Sequence, residues 1–214
     1  EARHGAGRND LLPNAFDDSG YYGISDLDRP HVLVASARYA FPTLESSAAP
    51  LRWVFGDWNM SGVLNAQSGA PFDVRSPGID IAGVGPGSGN QLYDVTGDPE
   101  AVRNSEWGPL PTSGLGAVWF DRNAYKAPAT GTFTTTQEKN SMRQPGFWDV
   151  NMLLRKGFRV PNTSQRFDFR LEVFNVLNRA RLGNAVTNPT SGDFGFIVQK
   201  VGSRTMQIGM QYLF

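Results

Sequence analysis

The stretch Arg166-Phe167-Asp168-Phe169-Arg170-Leu171-Glu172-Val173 alternates between charged and apolar side chains. A period of two is the repeat of a β-strand, in which successive side chains point to opposite faces. Four further stretches alternate in the same way, and helical spacing fits none of them as well. The sequence therefore predicts five strands, near residues 31–41, 51–74, 147–160, 166–177 and 204–214, and the second alternates most clearly over 58–67.

The connections between the predicted strands alternate in length. Residues 42–53 and 161–165 are short links, whereas residues 68–146 and 175–204 are long, and residues 1–30 resemble another long loop. Short periplasmic turns and long extracellular loops are typical of outer-membrane β-barrels. If the last strand ends in the periplasm, both short links lie on one side of the membrane and all long loops on the other.

Aromatic and aliphatic residues separate along the apolar faces of these strands, although Lys156 interrupts one face near its end. Aromatic girdles beside an aliphatic band are the interfacial signature of a membrane barrel. The predicted periplasmic end carries Tyr39, Phe41, Trp58, Phe158, Phe167, Tyr212 and Phe214, Trp148 lies at the outer end, and the middle carries Ala35, Met60, Leu64, Val150, Met152, Leu171 and Ile208.

These patterns predict an all-β fold, the wall of an antiparallel transmembrane β-barrel with long extracellular loops. A soluble β-sandwich, used as a binding module or surface adhesin, is the alternative, with the apolar face turned to a second sheet. The sandwich explains neither the alternation of loop lengths nor the apolar end of the chain.

Composition excludes several classes of function. Lys and Arg number 20 and Asp and Glu also number 20, so the chain lacks the basic excess of a nucleic-acid binder. The absence of cysteine excludes a disulfide scaffold, a zinc-thiolate site and a cysteine nucleophile. The longest apolar run, residues 115–120, is too short for a membrane-spanning helix.

No motif for catalysis, metal binding or cofactor binding stands out. The two histidines, His4 and His31, have no accompanying triad motif, which also disfavours an outer-membrane hydrolase. The glycine-rich residues 83–89 lack the Lys-Ser/Thr and the helix start of a phosphate loop, so they predict a flexible loop tip. The carboxylates in residues 94–100 lack EF-hand spacing and indicate a solvated loop. We expect no enzyme, no metal and no cofactor.

The polar side chains that alternate with apolar residues are the candidate functional residues. On a barrel they must face the lumen, because a charge on the lipid face costs about 2–4 kcal/mol near the midplane. They can form a ladder of salt bridges that stiffens the wall, or a contact surface for a plug or a passing solute, and arginine suits either role. The lumen-facing candidates are Arg38, Asn59, Asn65, Gln67, Asn151, Arg155, Asp168, Arg170 and Glu172.

Four stretches carry a resemblance to a known family. Residues 58–72 contain WNMSGV and QSGAPF, residues 119–125 read WFDRNAY, residues 140–150 read NSMRQPGFWDV, and residues 169–178 read FRLEVFNVLN. Together they resemble motifs of TonB-dependent outer-membrane receptors of the Oar-like group, which carry an N-terminal carboxypeptidase-regulatory-like domain. The resemblance covers nearly the whole chain, although the proline of the group's WFNP motif has no counterpart other than Asn123.

The resemblance implies energised uptake of a large, unidentified solute across the outer membrane of a Gram-negative-type bacterium. The expected partners are outer-membrane lipid, a plug domain and TonB, the last two engaged through an N-terminal part that is absent here. The strand that carries Tyr212 and Phe214 resembles the signal read by the barrel-assembly machinery. We expect residues 1–214 to be the C-terminal part of a plugged barrel of roughly 22 strands, since even the smallest membrane barrels need about eight.

Overall fold

The computed structural model describes residues 22–46, 48–75, 78–85, 91–112, 114–160 and 163–214. Predictions for His4, for most of residues 1–30, for the tip of the glycine-rich loop at 86–90 and for residues 161–162 concern residues outside this set. The described chain is divided into two compact units. We call residues His31–Gln67, Phe147–Arg181 and Val201–Phe214 the sheet unit, and residues 22–30, 68–146 and 182–200 the loop unit.

Strands dominate the secondary structure. One α-helix, α1, covers Ala49–Phe55, and a 3-10 turn covers Arg122–Ala124; no helix among the described residues has the length and apolar character needed to cross a membrane. The strands in chain order are β1 Val32–Ala40, β2 Trp58–Gln67, β3 Pro71–Phe72, β4 Asp94–Val95, β5 Asn104–Pro109, β6 Leu115–Val118, β7 Tyr125–Lys126, β8 Met142–Arg143, β9 Phe147–Arg159, β10 Arg166–Phe174, β11 Arg181–Leu182, β12 Phe196–Ile197, β13 Lys200–Val201 and β14 Thr205–Leu213.

The sheet unit consists of one open antiparallel sheet with the order β1-β2-β9-β10-β14 and the helix α1. Its strands are the five stretches whose side chains alternate in the sequence. Because all neighbours are antiparallel, the links β1–β2 and β9–β10 lie at one end of the sheet. We call this the short-link end. β1 and β14 form the two edges.

The predicted second strand, 51–74, was too long at both ends. Its first residues belong to α1, where Pro50 lies in the first turn, a position that suits the fixed φ of proline. Its last residues leave the sheet after Gln67, and Pro71 and Phe72 pair with β8 instead. The predicted fourth strand ends early as well, because Asn175 adopts a left-handed φ of 52° that extended structure does not allow.

Strand register assigns each side chain to one face of the sheet, because cross-strand partners lie on the same face. One row of partners contains Tyr39, Met60, Leu154, Leu171 and Ile208. The adjacent row contains Ala40, Asn59, Arg155, Arg170 and Gly209. The sheet therefore has one apolar face and one polar face, as the sequence alternation predicts.

The loop unit has a hydrophobic core of its own. Three small sheets, β12-β6-β5, β3-β8 and β4-β7, belong to it. Apart from residues 68–74, which lie in the predicted second strand, the sequence predicts only long loops here, whereas the structure has short paired strands and a shared core. The buried core residues are Phe72, Val74, Ala117, Phe120, Ala124, Tyr125, Met142, Ala185, Phe194 and Ile197.

Candidate functional site

The polar face of the sheet brings together every lumen-facing candidate of the sequence analysis. Asn59, Arg155 and Arg170 are direct neighbours in one row, and Arg38 lies opposite Ser61, which shares the face with Asn59. The remaining candidates are an even number of residues away from these on β2, β9 or β10, and therefore lie on the same face: Asn65, Gln67, Asn151, Asp168 and Glu172.

Asp168 is the centre of the strongest ion-pair group on this face. Arg155 Nη2 lies 2.6 Å from Asp168 Oδ2, and Arg166 Nη2 lies 3.0 Å from the same oxygen. The Asp168 side chain is only 8% exposed. Its cross-strand partner is Gly157, where an added Cβ would lie 3.2 Å from Asp168 Oδ1, so this glycine leaves room for the carboxylate. Charge-assisted bonds of this kind are about twice as strong as neutral ones.

Arg170 and Glu172 form a second, more exposed pair. Arg170 Nε lies 3.2 Å from Glu172 Oε1, and the arginine side chain is 60% exposed. Gly209 lies opposite Arg170, and its missing side chain leaves space beside the guanidinium. Exposed ion pairs contribute about 0–1 kcal/mol to stability. The Arg170 guanidinium is therefore available to a ligand at little cost to the fold.

Amide side chains continue the polar face toward the other end of the sheet. Asn65 Nδ2 and Asn151 Nδ2 both donate to Asp149 Oδ1, at 3.1 and 2.9 Å. Asn151 Oδ1 in turn accepts the main-chain N–H of Asn175 at 2.9 Å. At the short-link end, Arg38 Nη2 donates to Asn59 Oδ1 at 3.3 Å. Gln67 ends β2 opposite Phe147.

Three charged residues join the candidate set in the structure. Arg159 and Arg166 are cross-strand partners on the polar face, and Asp149 lies on it opposite Asn65. The alternation in the sequence already places them there, so the pattern itself was the available signal. Over the described sheet, the polar face carries five arginines and three carboxylates, an excess of positive charge: Arg38, Arg155, Arg159, Arg166 and Arg170 against Asp149, Asp168 and Glu172.

The family-like motifs in the loop unit hold its segments together. Pro71 and Phe72 of one motif pair with Arg143 and Met142 of another. Trp119 of a third motif donates through Nε1 to the Arg143 carbonyl oxygen at 2.8 Å. These motif residues are structural in this unit, a role that single-sequence patterns did not reveal.

Asn140 and Arg143 fasten residues 22–30 to the rest of the loop unit. Asn140 is buried with a left-handed φ of 59°, and its Nδ2 donates to the Ile24 carbonyl oxygen at 2.7 Å and to Asp26 Oδ1. Arg143 forms an ion pair with Asp28. An asparagine tolerates the left-handed conformation better than most residues, which explains its place at this position.

Titratable groups also lie away from the polar face. His31 is exposed beside β1. Within the part of the chain that the structure describes, no three His, Cys, Asp or Glu side chains are grouped so that they could hold a metal ion. Burial, assisted by the negative charge of Asp73, raises the pKa of Tyr125 in the loop core to about 12.

Comparison with known proteins points to one family. A family model described as an outer membrane beta barrel domain matches residues 2–207 of the chain. No curated protein and no solved structure matches the chain significantly.

Proposed function

The chain belongs to the outer membrane beta barrel domain family, which places it in the outer membrane of a Gram-negative-type bacterium, and we propose that it forms part of the wall of a TonB-dependent receptor. In this proposal the receptor takes up a large solute in an energised step. The observation that carries the proposal is the division of the sheet into an apolar face and an arginine-rich polar face. The motif resemblance described above supports the TonB-dependent class.

The apolar face suits contact with lipid. Ile208 and Met210 are 74% and 75% exposed on the described chain, and Leu171 shares a row with Ile208. A soluble sandwich would cover such side chains with a second sheet. In a barrel the bilayer covers them, and each buried methylene contributes about 0.8 kcal/mol.

The polar face suits the inside of a plugged barrel. Arg155 and Arg166 are partly neutralised by Asp168, whereas Arg38 has the neutral partner Asn59 and Arg170 is exposed beside Glu172. Arg38 and Arg170 are the side chains that we expect to contact acidic groups of a plug domain or a solute. Bidentate binding of carboxylate or phosphate by arginine supplies the recognition chemistry.

The sheet edges suit continuation into a larger barrel. β1 and β14 each have one partner strand within the described residues, and an open strand edge presents main-chain groups that need partners in a membrane. We propose that further strands pair with both edges. The terminal strand, with Tyr212 and Phe214, is the part that the barrel-assembly machinery would recognise.

A lipid-soluble photolabel tests the assignment of the two faces. In the full-length protein in native membranes, we expect label on Leu171, Val150 and Ile208, and none on Arg170, Asn151 and Gln207. The two sets are neighbours in sequence, so depth and local structure are matched. Equal labelling of both sets, or of neither, would exclude a lipid-facing wall.

A separate measurement tests the TonB-dependent class. The full-length protein, solubilised in detergent, is expected to bind the purified periplasmic domain of TonB, and a version lacking its N-terminal part is expected to lose that binding. Absence of binding by the full-length protein would reject TonB-dependent uptake while leaving the outer-membrane wall in place.

A further inference from the structure

The helix α1 is apolar around most of its circumference, yet none of its residues is buried. Leu51, Trp53, Val54 and Phe55 are all exposed, and successive residues of a helix point about 100° apart. A helix that is apolar on all sides is normally buried in a protein core or in a membrane. This helix therefore needs a cover that the described chain does not supply.

The position of α1 shows which surface it extends. The Trp53 ring lies 5.1 Å from the ring of Phe158, which is on the apolar face of β9. Phe158 pairs with Phe167, and Phe167 pairs with Tyr212, so an aromatic row crosses the sheet at its short-link end. The Trp58 indole N–H donates to the Val54 carbonyl oxygen at 3.0 Å and fixes the helix beside this row.

We propose that α1 is an interfacial helix, which lies in the boundary between lipid headgroups and acyl chains at the short-link end of the sheet. This inference rests on the proposed function, in which the apolar face contacts lipid. Continuity with that face through the Trp53–Phe158 contact identifies lipid, rather than another protein, as the cover.

The composition of the helix fits the same boundary. Tryptophan, phenylalanine and leucine insert at the headgroup level, and a basic side chain stays with the phosphates. Arg52, in the last turn of α1, is exposed and supplies that charge. The helix would thereby fix the depth of the β1–β2 link in the membrane.

Spin labels can locate the helix because this chain contains no cysteine. Single variants Phe55→Cys and Val54→Cys are made in the full-length protein, after any cysteine outside this chain is replaced by serine. The labelled proteins are reconstituted in vesicles of phosphatidylethanolamine and phosphatidylglycerol. Ile208→Cys is the lipid control, and Glu106→Cys, an exposed site in the loop unit, is the aqueous control.

Collision rates with oxygen and with a water-soluble nickel chelate give the result. We expect oxygen-to-chelate ratios at Phe55 and Val54 severalfold above the ratio at Glu106. If the chelate reaches both helix sites as readily as Glu106 while Ile208 is in lipid, the interfacial helix is rejected. The proposed function is then unaffected. Low collision rates with both reagents would overturn the interfacial helix in favour of a protein cover. A ratio at Ile208 as low as that at Glu106 would reject the proposed function as well.

Discussion

The ammonium group of Lys156 donates a hydrogen bond to the main-chain carbonyl oxygen of Gly56, the residue that follows the last turn of α1. Lys156 is only 1% exposed, and its Nζ also lies 5.3 and 5.0 Å from the ring centres of Trp58 and Phe158. The bond explains how a lysine can interrupt the apolar face of the sheet. Its charge is turned toward a carbonyl and two aromatic rings at the sheet end.

Replacing Lys156 with methionine keeps an unbranched side chain and removes the donor. The carbonyl of Gly56 then loses its partner, so we expect Lys156→Met to lower the free energy of unfolding by about 1–3 kcal/mol. Urea unfolding of the reconstituted protein measures the change. Lys126→Met, at an exposed position, is the control and should change it by less than about 0.5 kcal/mol. Equal stabilities of both variants would contradict a stabilising role of the bond.

Gly69 is expected to be essential for the loop unit. A Cβ at this position would lie 1.6 Å from the Gln144 carbonyl oxygen, so Gly69→Ala must displace the segment that leads into β3. We expect Gly69→Ala to lower the free energy of unfolding by about 1–3 kcal/mol or more and to speed up proteolysis of the loop unit. Gly108→Ala is the matched control, because nothing lies within 4 Å of its added Cβ. Similar digestion rates for the two variants would disprove this requirement.

Substitutions at two adjacent residues of β10 should differ in their effect on insertion into the membrane. Leu171→Arg places a charge on the apolar face at a cost of about 2–4 kcal/mol and should reduce insertion into the membrane. Arg170→Ala removes an exposed guanidinium and should leave insertion unchanged. The amount of folded protein in the outer-membrane fraction measures both. Normal insertion of Leu171→Arg would contradict a lipid-facing position.

Tyr125 should make the loop unit sensitive to alkaline pH. Because its pKa is about 12 in the folded chain and near 10 when exposed, the stability that it contributes is fully present below pH 10 and declines toward pH 12. Its buried hydroxyl has no hydrogen-bond partner in the described structure, so Tyr125→Phe should not destabilise the unit at neutral pH. Protease resistance of the loop unit, measured across this range, should fall less steeply in Tyr125→Phe than in the parent.

Phe214 is expected to contribute to assembly rather than to packing. It is almost fully exposed, and its nearest ring contact is Tyr212 at 6.0 Å. Phe214→Asp should reduce the amount of barrel in the outer membrane, whereas Phe214→Tyr, which keeps an interfacial aromatic, should not. Unchanged levels of Phe214→Asp would count against the assembly signal.

The large sheet was predictable because its information is local. Alternation identifies the five strands, and the lengths of the links indicate which strand ends lie on the same side, without any knowledge of tertiary contacts. The helix α1 was missed because its seven residues carry no period that distinguishes them from a strand. The helix also makes a contact between Trp53 and Phe158, and a contact between residues so far apart in the chain cannot be read from a local pattern. The loop core was missed because its members come from segments far apart in the chain.

The faces of the candidate site were predictable, but its partners were not. Arg155 lies directly opposite Arg170, and Arg159 opposite Arg166, an arrangement that is normally unfavourable. Asp168 relieves part of this repulsion by accepting from Arg155 across a diagonal and from Arg166 two residues before it on β10. Such pairings depend on the stagger between strands and on the room beside Gly157, neither of which follows from alternation alone.

The core of the loop unit makes its formation depend on the pairing of the sheet strands. Phe72 and Ala185 share that core although β9 and β10 separate their segments in the chain. Contacts between such distant residues close long loops, so they form late in folding. We expect the unit to become protease-resistant only after the intervening strands have paired. In the proposed outer-membrane wall, a folded loop unit would then be found only on barrels that have finished assembling.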